Sequence, residues 1–245
     1  MRGHIYRQDI IIHILRSFYV LFAQIILLNI VFSDMELYVG WSKSEAYLVI
    51  GIWNVLNYLG WGLFGINLIY LERKVLDGSF DYILLKPLSA DWLASFGDFF
   101  MYNVVTALTG IILIAYHLIS NWFSLSILNL LFAILAMFIA MFVWYCIYLI
   151  FASFTIANPR NGLLSIAKEV LGITKYPIDI FGNGLSFLFY IVTPLAFLTT
   201  VPAKFFMGNI SPIYLLYALI LGILLYVFAK FLWKWNICRY ESASS

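Results

Sequence analysis

Residues 99–159 form a run of 61 positions without a single Asp, Glu, Lys or Arg. An unpaired charge at a bilayer centre costs about 2.5 to 3.5 kcal/mol on the insertion scale, so charge-free apolar runs mark where a chain can lie in hydrocarbon. About 20 helical residues cross a core of ~30 Å, so this run must hold two spans. Its break is Ser120-Asn121-Trp122-Phe123-Ser124, where polar residues turn the chain and the aromatic pair suits an interface. Four further charge-free runs, 17–33, 46–71, 180–203 and 205–229, are each near one span in length. The sequence therefore predicts an all-α, polytopic membrane protein in one domain over 1–245, with six transmembrane helices near 15–33, 46–69, 97–119, 127–151, 182–201 and 212–233.

Composition agrees, with 64% apolar and 11% charged residues against roughly a quarter charged in a soluble domain. The 17 Tyr and 8 Trp supply two interfacial belts. A net charge of +2 implies no nucleic-acid partner. Cys146 and Cys238 lie far apart and suggest neither a disulfide framework nor a metal site.

Loops between the six spans divide the basic residues unequally. Twelve of the 14 fall with the two termini, the 72–91 loop and the 158–180 loop, leaving only Lys43 and Lys204 on the other side. The positive-inside rule then makes both termini cytoplasmic, with 34–45, 120–126 and 202–211 outside. It also puts Ser165 and Ser242 inside and Ser42 outside. Span one is expected to be retained, because its apolar core is longer than a signal peptide's and no small-x-small cleavage site follows. The preceding 5–16 stretch reads either as an interfacial amphipathic helix or as the early start of that span. In 158–180, Ile166, Val170 and Ile173 at helical spacing between Pro159, Gly162 and Pro177 predict an interfacial cytoplasmic helix.

No Walker A loop, G-x-S-x-G, H-E-x-x-H or paired-cysteine motif is present, so no nucleotide, metal or catalytic site is expected in this chain. His117 reads as a structural residue, and Asp98 as an acid near the N-terminal end of span three. On the six-span reading no Asp, Glu, Lys or Arg lies deep in a span, which weakens an ion-coupled carrier. Uncharged polar residues are frequent: Gln24, Asn29, Asn54, Asn57, Asn67, Asn103, Thr106 and Thr109. Such groups either join helices to one another or line a polar path, for which Asn54, Asn57, Asn103 and Thr106 are the candidates. Gly60, Gly62 and Gly65 allow close approach or bending within span two.

The 72–91 loop carries the most information. Asp77-Gly78 signals a turn, Ser79 is placed to cap a short helix, and Pro87 stops it. Phe80, Ile83 and Leu84 fall at i, i+3 and i+4 on one apolar face beside Asp81 and Lys86. That face can lie on lipid or fill a groove in a soluble partner.

Gly78, Asp81, Leu84, Leu85, Pro87 and Leu88 resemble the G-x-x-D-x-x-L-L-R-P-L signature of a bacterial subgroup of ABC-2 type transporter permeases. Tyr176-Pro177, Thr193-Pro194-Leu195-Ala196-Phe197, Val201-Pro202-Ala203, Met207-Gly208 and Arg239-Tyr240-x-Ser242-Ala243 match its later pattern in order. Lys86 stands where that subgroup more often has Arg, and Ser79 where it often has Glu. The resemblance implies half of an exporter in a bacterial inner membrane, working as a dimer of permease subunits. Separate ATPase subunits, which bind ATP and Mg, would dock on the 72–91 loop through Gly78, Phe80, Asp81, Ile83, Leu84, Lys86 and Pro87. The competing class is a membrane scaffold or sensor subunit that transports nothing.

Overall fold

The computed structural model describes residues 2–34, 36–124, 126–191 and 194–240, so Thr193 and the Ser242-Ala243 pair of the later pattern lie outside the described residues. Helix α1 (Arg2–Val31) is continuous, so the 5–16 stretch runs straight into the span. A two-residue hairpin follows, β1 (Leu37–Tyr38) and β2 (Trp41–Ser42), closed by Val39 and Gly40, both at positive φ. Ser42 then starts α2 (Lys43–Gly60) with a capping box: its Oγ accepts from Glu45 N, and its own N donates to Glu45 Oε2 at 2.7 Å. One π-helical turn (Trp61–Gly65) joins α2 to α3 (Ile66–Leu76), making a rod of 34 residues, ~51 Å long. Two short helices follow, α4 (Phe80–Leu84) and α5 (Ala90–Ser95), and then two long ones, α6 (Tyr102–Ser120) and α7 (Ile127–Ala157). The remainder is α8 (Leu163–Gly172), α9 (Gly182–Ile191), α10 (Thr200–Phe206) and α11 (Ile213–Ile237).

Helix α7 is the centre of the core, with Trp144, Cys146, Tyr148 and Leu149 buried. Phe64 of the π turn sets its ring 5.3 Å from Tyr145 and 5.8 Å from Tyr148. Helices α2 and α6 cross at two glycines. A Cβ on Gly51 would sit 2.8 Å from the Gly110 carbonyl, and one on Gly110 would sit 2.8 Å from Val55 N and closer still to the Gly51 carbonyl. At Gly62, a Cβ would lie 3.0 Å from the Asn103 Cβ, and the Gly62 carbonyl accepts from Phe100 N at 3.2 Å.

The bundle has two ends. At the hairpin end lie residues 37–45, and at the loop end lie residues 77–95 together with the start of α1 and the finish of α11; His13 of α1 stacks on Tyr102 at 4.0 Å there. Five helices among the described residues are long and apolar enough to cross a membrane: 12–31, 43–76, 102–120, 127–157 and 213–237.

The expected fifth span at 182–201 is corrected. It is not one helix: α9 begins at Gly182 with φ +78°, a 3-10 turn occupies Pro194–Phe197, and α10 starts at Thr200 with Pro202 in its first turn. Glycine and proline break an apolar stretch that charge counting alone treats as uniform. Residues 163–181, the segment expected to lie in the cytoplasmic loop, instead pack along α2. Lys168 of α8 lies over Trp61, Leu171 accepts from Trp53 Nε1 at 3.4 Å, and Tyr176 and Pro177 share a cavity with Trp41 and Ala46. The chain thus climbs antiparallel to α2 from the loop end to the hairpin end. Its packing side is Leu164, Ala167 and Leu171, while Ile166 and Val170, expected as the apolar face, point outward. At the top Asp179 pairs with Lys204 at 2.8 Å, and Tyr190 hydrogen-bonds both. Burial pulls the Lys204 pKa down, but the bonds from Asp179 and Tyr190 outweigh it and raise the net value.

Replacing Gly110 with Val forces the α2–α6 crossing apart, and overpacking of this kind costs about 1 to 3 kcal/mol. A detergent-solubilised Gly110→Val variant should melt below the native chain in a thermal size-exclusion assay. Gly172→Val, where a Cβ meets open space, should leave the midpoint unchanged.

Candidate functional site

The 77–95 segment is built as a stud anchored on both flanks. Gly78 takes φ +75°, and the Asp77 carboxylate accepts from Ser79 N at 2.9 Å. That bond with Ser79 holds the Asp77 carboxyl below the usual carboxylate range. Ser79, expected as the cap of α4, makes no side-chain cap bond, because Asp77 serves the turn instead. The chain leaves α4 through Leu85 and Lys86 to an exposed Pro87.

The apolar face expected at Phe80, Ile83 and Leu84 turns mostly inward. Phe80 is 0% exposed, its ring edge-on to Tyr240 at 5.3 Å, and Ile83 also belongs to the core. Leu84 sits at the boundary, 37% exposed. Outward from the stud stand Tyr82 at 71%, Leu85 at 81%, Leu88 and Trp92, with Lys86 exposed among them and Asp81 half-buried. Phe80 and Ile83 are therefore the seat of the short helix. On the second flank, Asp91 is buried and receives Lys230 of α11 through both carboxylate oxygens at 2.7 Å. Ser95 hydrogen-bonds the Asp91 carbonyl and lies 3.4 Å from the Tyr145 hydroxyl. Tyr240 and Lys230 both come from α11 or just after it, so one helix end grips the stud twice. Lys230 counts as a boundary marker in the sequence; its partnership with a residue 139 positions away has no local signal.

The four path candidates divide. Asn54 is fully buried and exchanges amide bonds with Gln24 of α1 at 2.8 and 3.0 Å, while also reaching Thr109 at 3.3 Å. Thr106 receives Ser17 Oγ at 2.9 Å. Asn103 is buried and donates to the Phe100 carbonyl. Asn54 and Thr106 thus join α1, α2 and α6, the helix-to-helix role, while the bond of Asn103 stays within its own segment. Asn57 differs. It is half-buried and lies four residues from both Trp53 and Trp61, on one row of α2. Along that row run Lys168 of α8 and Lys175 of the 3-10 turn that follows it: Lys168 Nζ is 4.7 Å from the Trp61 ring centre, and Lys175 Nζ is 5.9 Å from those of Trp53 and Tyr176. Two lysines thus lie within the bundle's depth, which corrects the expectation that no charge lies there.

Against the family models, the one described as ABC-2 family transporter protein matches residues 18–244. The chain belongs to the ABC-2 transporter family. It is accordingly the membrane component of a transporter, a multi-pass all-α protein that is not itself catalytic. No curated protein and no solved structure matches the chain. In this ABC-2 protein no group of three or more His, Cys, Asp or Glu gathers among the described residues as a metal site would require.

Removing one partner of a buried ion pair leaves an uncompensated charge and costs more than the pair contributes. Lys230→Met should therefore lower the melting midpoint and speed proteolysis within 77–95. The double variant Lys230→Met/Asp91→Asn should recover part of the loss. A double variant no more stable than the single would show that Asp91 is not held by Lys230.

Proposed function

We propose that this ABC-2 protein is the permease subunit of an ATP-driven exporter in a bacterial inner membrane. It pairs with a second permease subunit and is driven by separate ATPase subunits that bind ATP and Mg. One observation carries the coupling role: the stud at 77–95 presents an apolar crest, Tyr82, Leu85, Leu88 and Trp92, at the end of the bundle where no membrane-spanning helix covers it. An exposed apolar cluster rimmed by charge is the signature of an interaction site. Its two anchors on α11 make it a fixed knob suited to a groove on a soluble partner.

Orientation follows from the charges. With 163–181 taken as a crossing, ten of the 14 basic residues still gather at the loop end, against Lys43 and Lys204 at the hairpin end. The positive-inside rule makes the loop end and both termini cytoplasmic, on the side where ATP is available. Asn57 belongs on the translocation path in this reading, and Asn54, Asn103 and Thr106 do not. Export as the direction of transport rests on the resemblance of the 78–88 motif to exporter permeases.

Burying one large apolar side chain contributes about 1.5 to 3 kcal/mol, and each 1.4 kcal/mol is tenfold in affinity. Leu85→Asp should thus cut co-purification of the ATPase by roughly tenfold or more while the permease stays folded and inserted. Phe80→Ala should act differently, lowering thermal stability as a core truncation by about 3 to 5 kcal/mol. Undiminished co-purification and ATP turnover in Leu85→Asp would mean that the crest is not the coupling surface, and would favour the scaffold reading.

A further inference from the structure

Lys168 and Lys175 lie on the 163–181 segment that packs along α2, each beside an aromatic ring of that rod. Measured down the α2 rod, Trp53 lies ~16 Å and Trp61 ~28 Å from its start, so both lysines stand within the depth of a ~30 Å hydrocarbon core. Ionisable groups at that depth face a bundle interior or a watery cavity and mark a substrate route. Among the described residues, neither lysine has a carboxylate within ion-pair distance; the carboxylates of Asp179 and Asp91 go to Lys204 and Lys230. What holds the two cations is aromatic: Trp61 beneath Lys168, and Trp53 with Tyr176 beside Lys175. Seven helical residues separate them by ~10.5 Å on one side of the helix, with Asn57 between the two tryptophans.

We propose that this stripe is the cargo-binding surface of the path, and that the cargo is an anionic amphiphile: an acidic head group for the lysines and an apolar body for the indoles. The inference rests on the permease reading. Charge arithmetic selects the sign. The one acid of α8 at this depth is Glu169, which lies near enough to Tyr148 of α7 to act on it electrostatically. One such carboxylate stands against two lysines in each chain, which leaves one cation in excess for a ligand. Chemistry selects the class. A ring face attracts a cation without supplying a counter-charge, so an acidic group has no carboxylate to displace here. A purely polar anion would gain nothing from Trp53 and Trp61.

The test uses the purified full-length protein in detergent and 9,10-dibromostearate, whose bromines quench indole fluorescence on contact. Saturable quenching by the acid is expected, with its neutral methyl ester roughly tenfold weaker. Lys168→Gln/Lys175→Gln should lose a similar factor for the acid, and Lys168→Arg/Lys175→Arg should retain binding. Equal affinity for acid and ester on the native protein overturns the proposal, and that comparison needs no variant to fold. So does undiminished binding of the acid by the Gln pair. If the Gln pair instead falls from dimer to monomer by light scattering with acid affinity unchanged, the stripe is an ion-pairing interface between copies and no cargo site. None of these measurements involves the ATPase, so they fail or succeed apart from the Leu85→Asp result.

Discussion

Hydrocarbon offers a backbone no hydrogen-bond partner, so wherever this chain leaves helical geometry inside the bundle it must supply one itself. The breaks in the helices coincide with the bonds that repair them. The π turn at 61–65 shifts the α2–α3 ladder, and the Gly62 carbonyl takes Phe100 N. Asn67, one turn further on, holds the approach to α6 with both ends of its amide, donating to the Asp98 carbonyl at 2.7 Å and accepting from Asp98 N at 3.1 Å. On the far side, Thr199 donates to the Thr174 carbonyl at 2.6 Å, and Thr200 Oγ1 accepts from Ile178 N. Those two threonines let 194–206 fold against the top of the 163–181 segment.

The same constraint explains where the sequence was legible. Charge-free runs mark where α1, α2–α3, α6, α7 and α11 lie, though α1 begins 13 residues before the expected 15 and α2–α3 runs seven beyond the expected 69, because a helix continues past the last apolar residue into its charged ends. They misjudge the stretch between α7 and α11 in both directions. Lys168, Glu169, Lys175 and Asp179 disqualify 163–181 on a per-residue cost, yet the two lysines rest on indole rings and Asp179 is neutralised by Lys204. Conversely, 182–203 is free of charge, but Gly182, Gly184, Pro194 and Pro202 prevent one continuous helix. The glycines and prolines were readable signals; the compensation of the lysines was not, since the tryptophans that provide it are over 100 residues away. The Ser42-x-x-Glu45 capping box was also readable as the start of α2. Gly51 and Gly110 gave no motif, being single glycines on different helices.

The 77–95 stud was legible as an element but not as a surface. Phe80, Ile83 and Leu84 have the spacing of one helical face, and so do Tyr82 and Leu85. A helix of five residues squeezed between the bundle and solvent has apolar groups all round, so periodicity cannot say which side turns inward. The decision belongs to Tyr240, whose ring occupies the space beneath Phe80. A contact across 160 positions leaves no trace in the local pattern.

Its consequence is mechanical. Helix α11 reaches from Tyr217, whose ring lies 5.3 Å from Phe197 near the hairpin end, to Lys230, gripping Asp91 at the loop end. In between it rides on α7 through Phe142 and Tyr226 and through the close seat of Gly222, where a Cβ would lie 3.2 Å from Phe142. A straight helix of 25 residues with tight contacts along its length does not bend easily. A push on the Leu85 crest therefore has two ways to be absorbed: slippage of the Phe80–Tyr240 and Asp91–Lys230 grips, or displacement of α11 as a body. An ion pair with one buried carboxylate and two 2.7 Å bonds resists slippage more strongly than an apolar contact that can slide. The geometry favours displacement of α11, which would carry movement from the loop end to Phe197 and the broken helices beyond it.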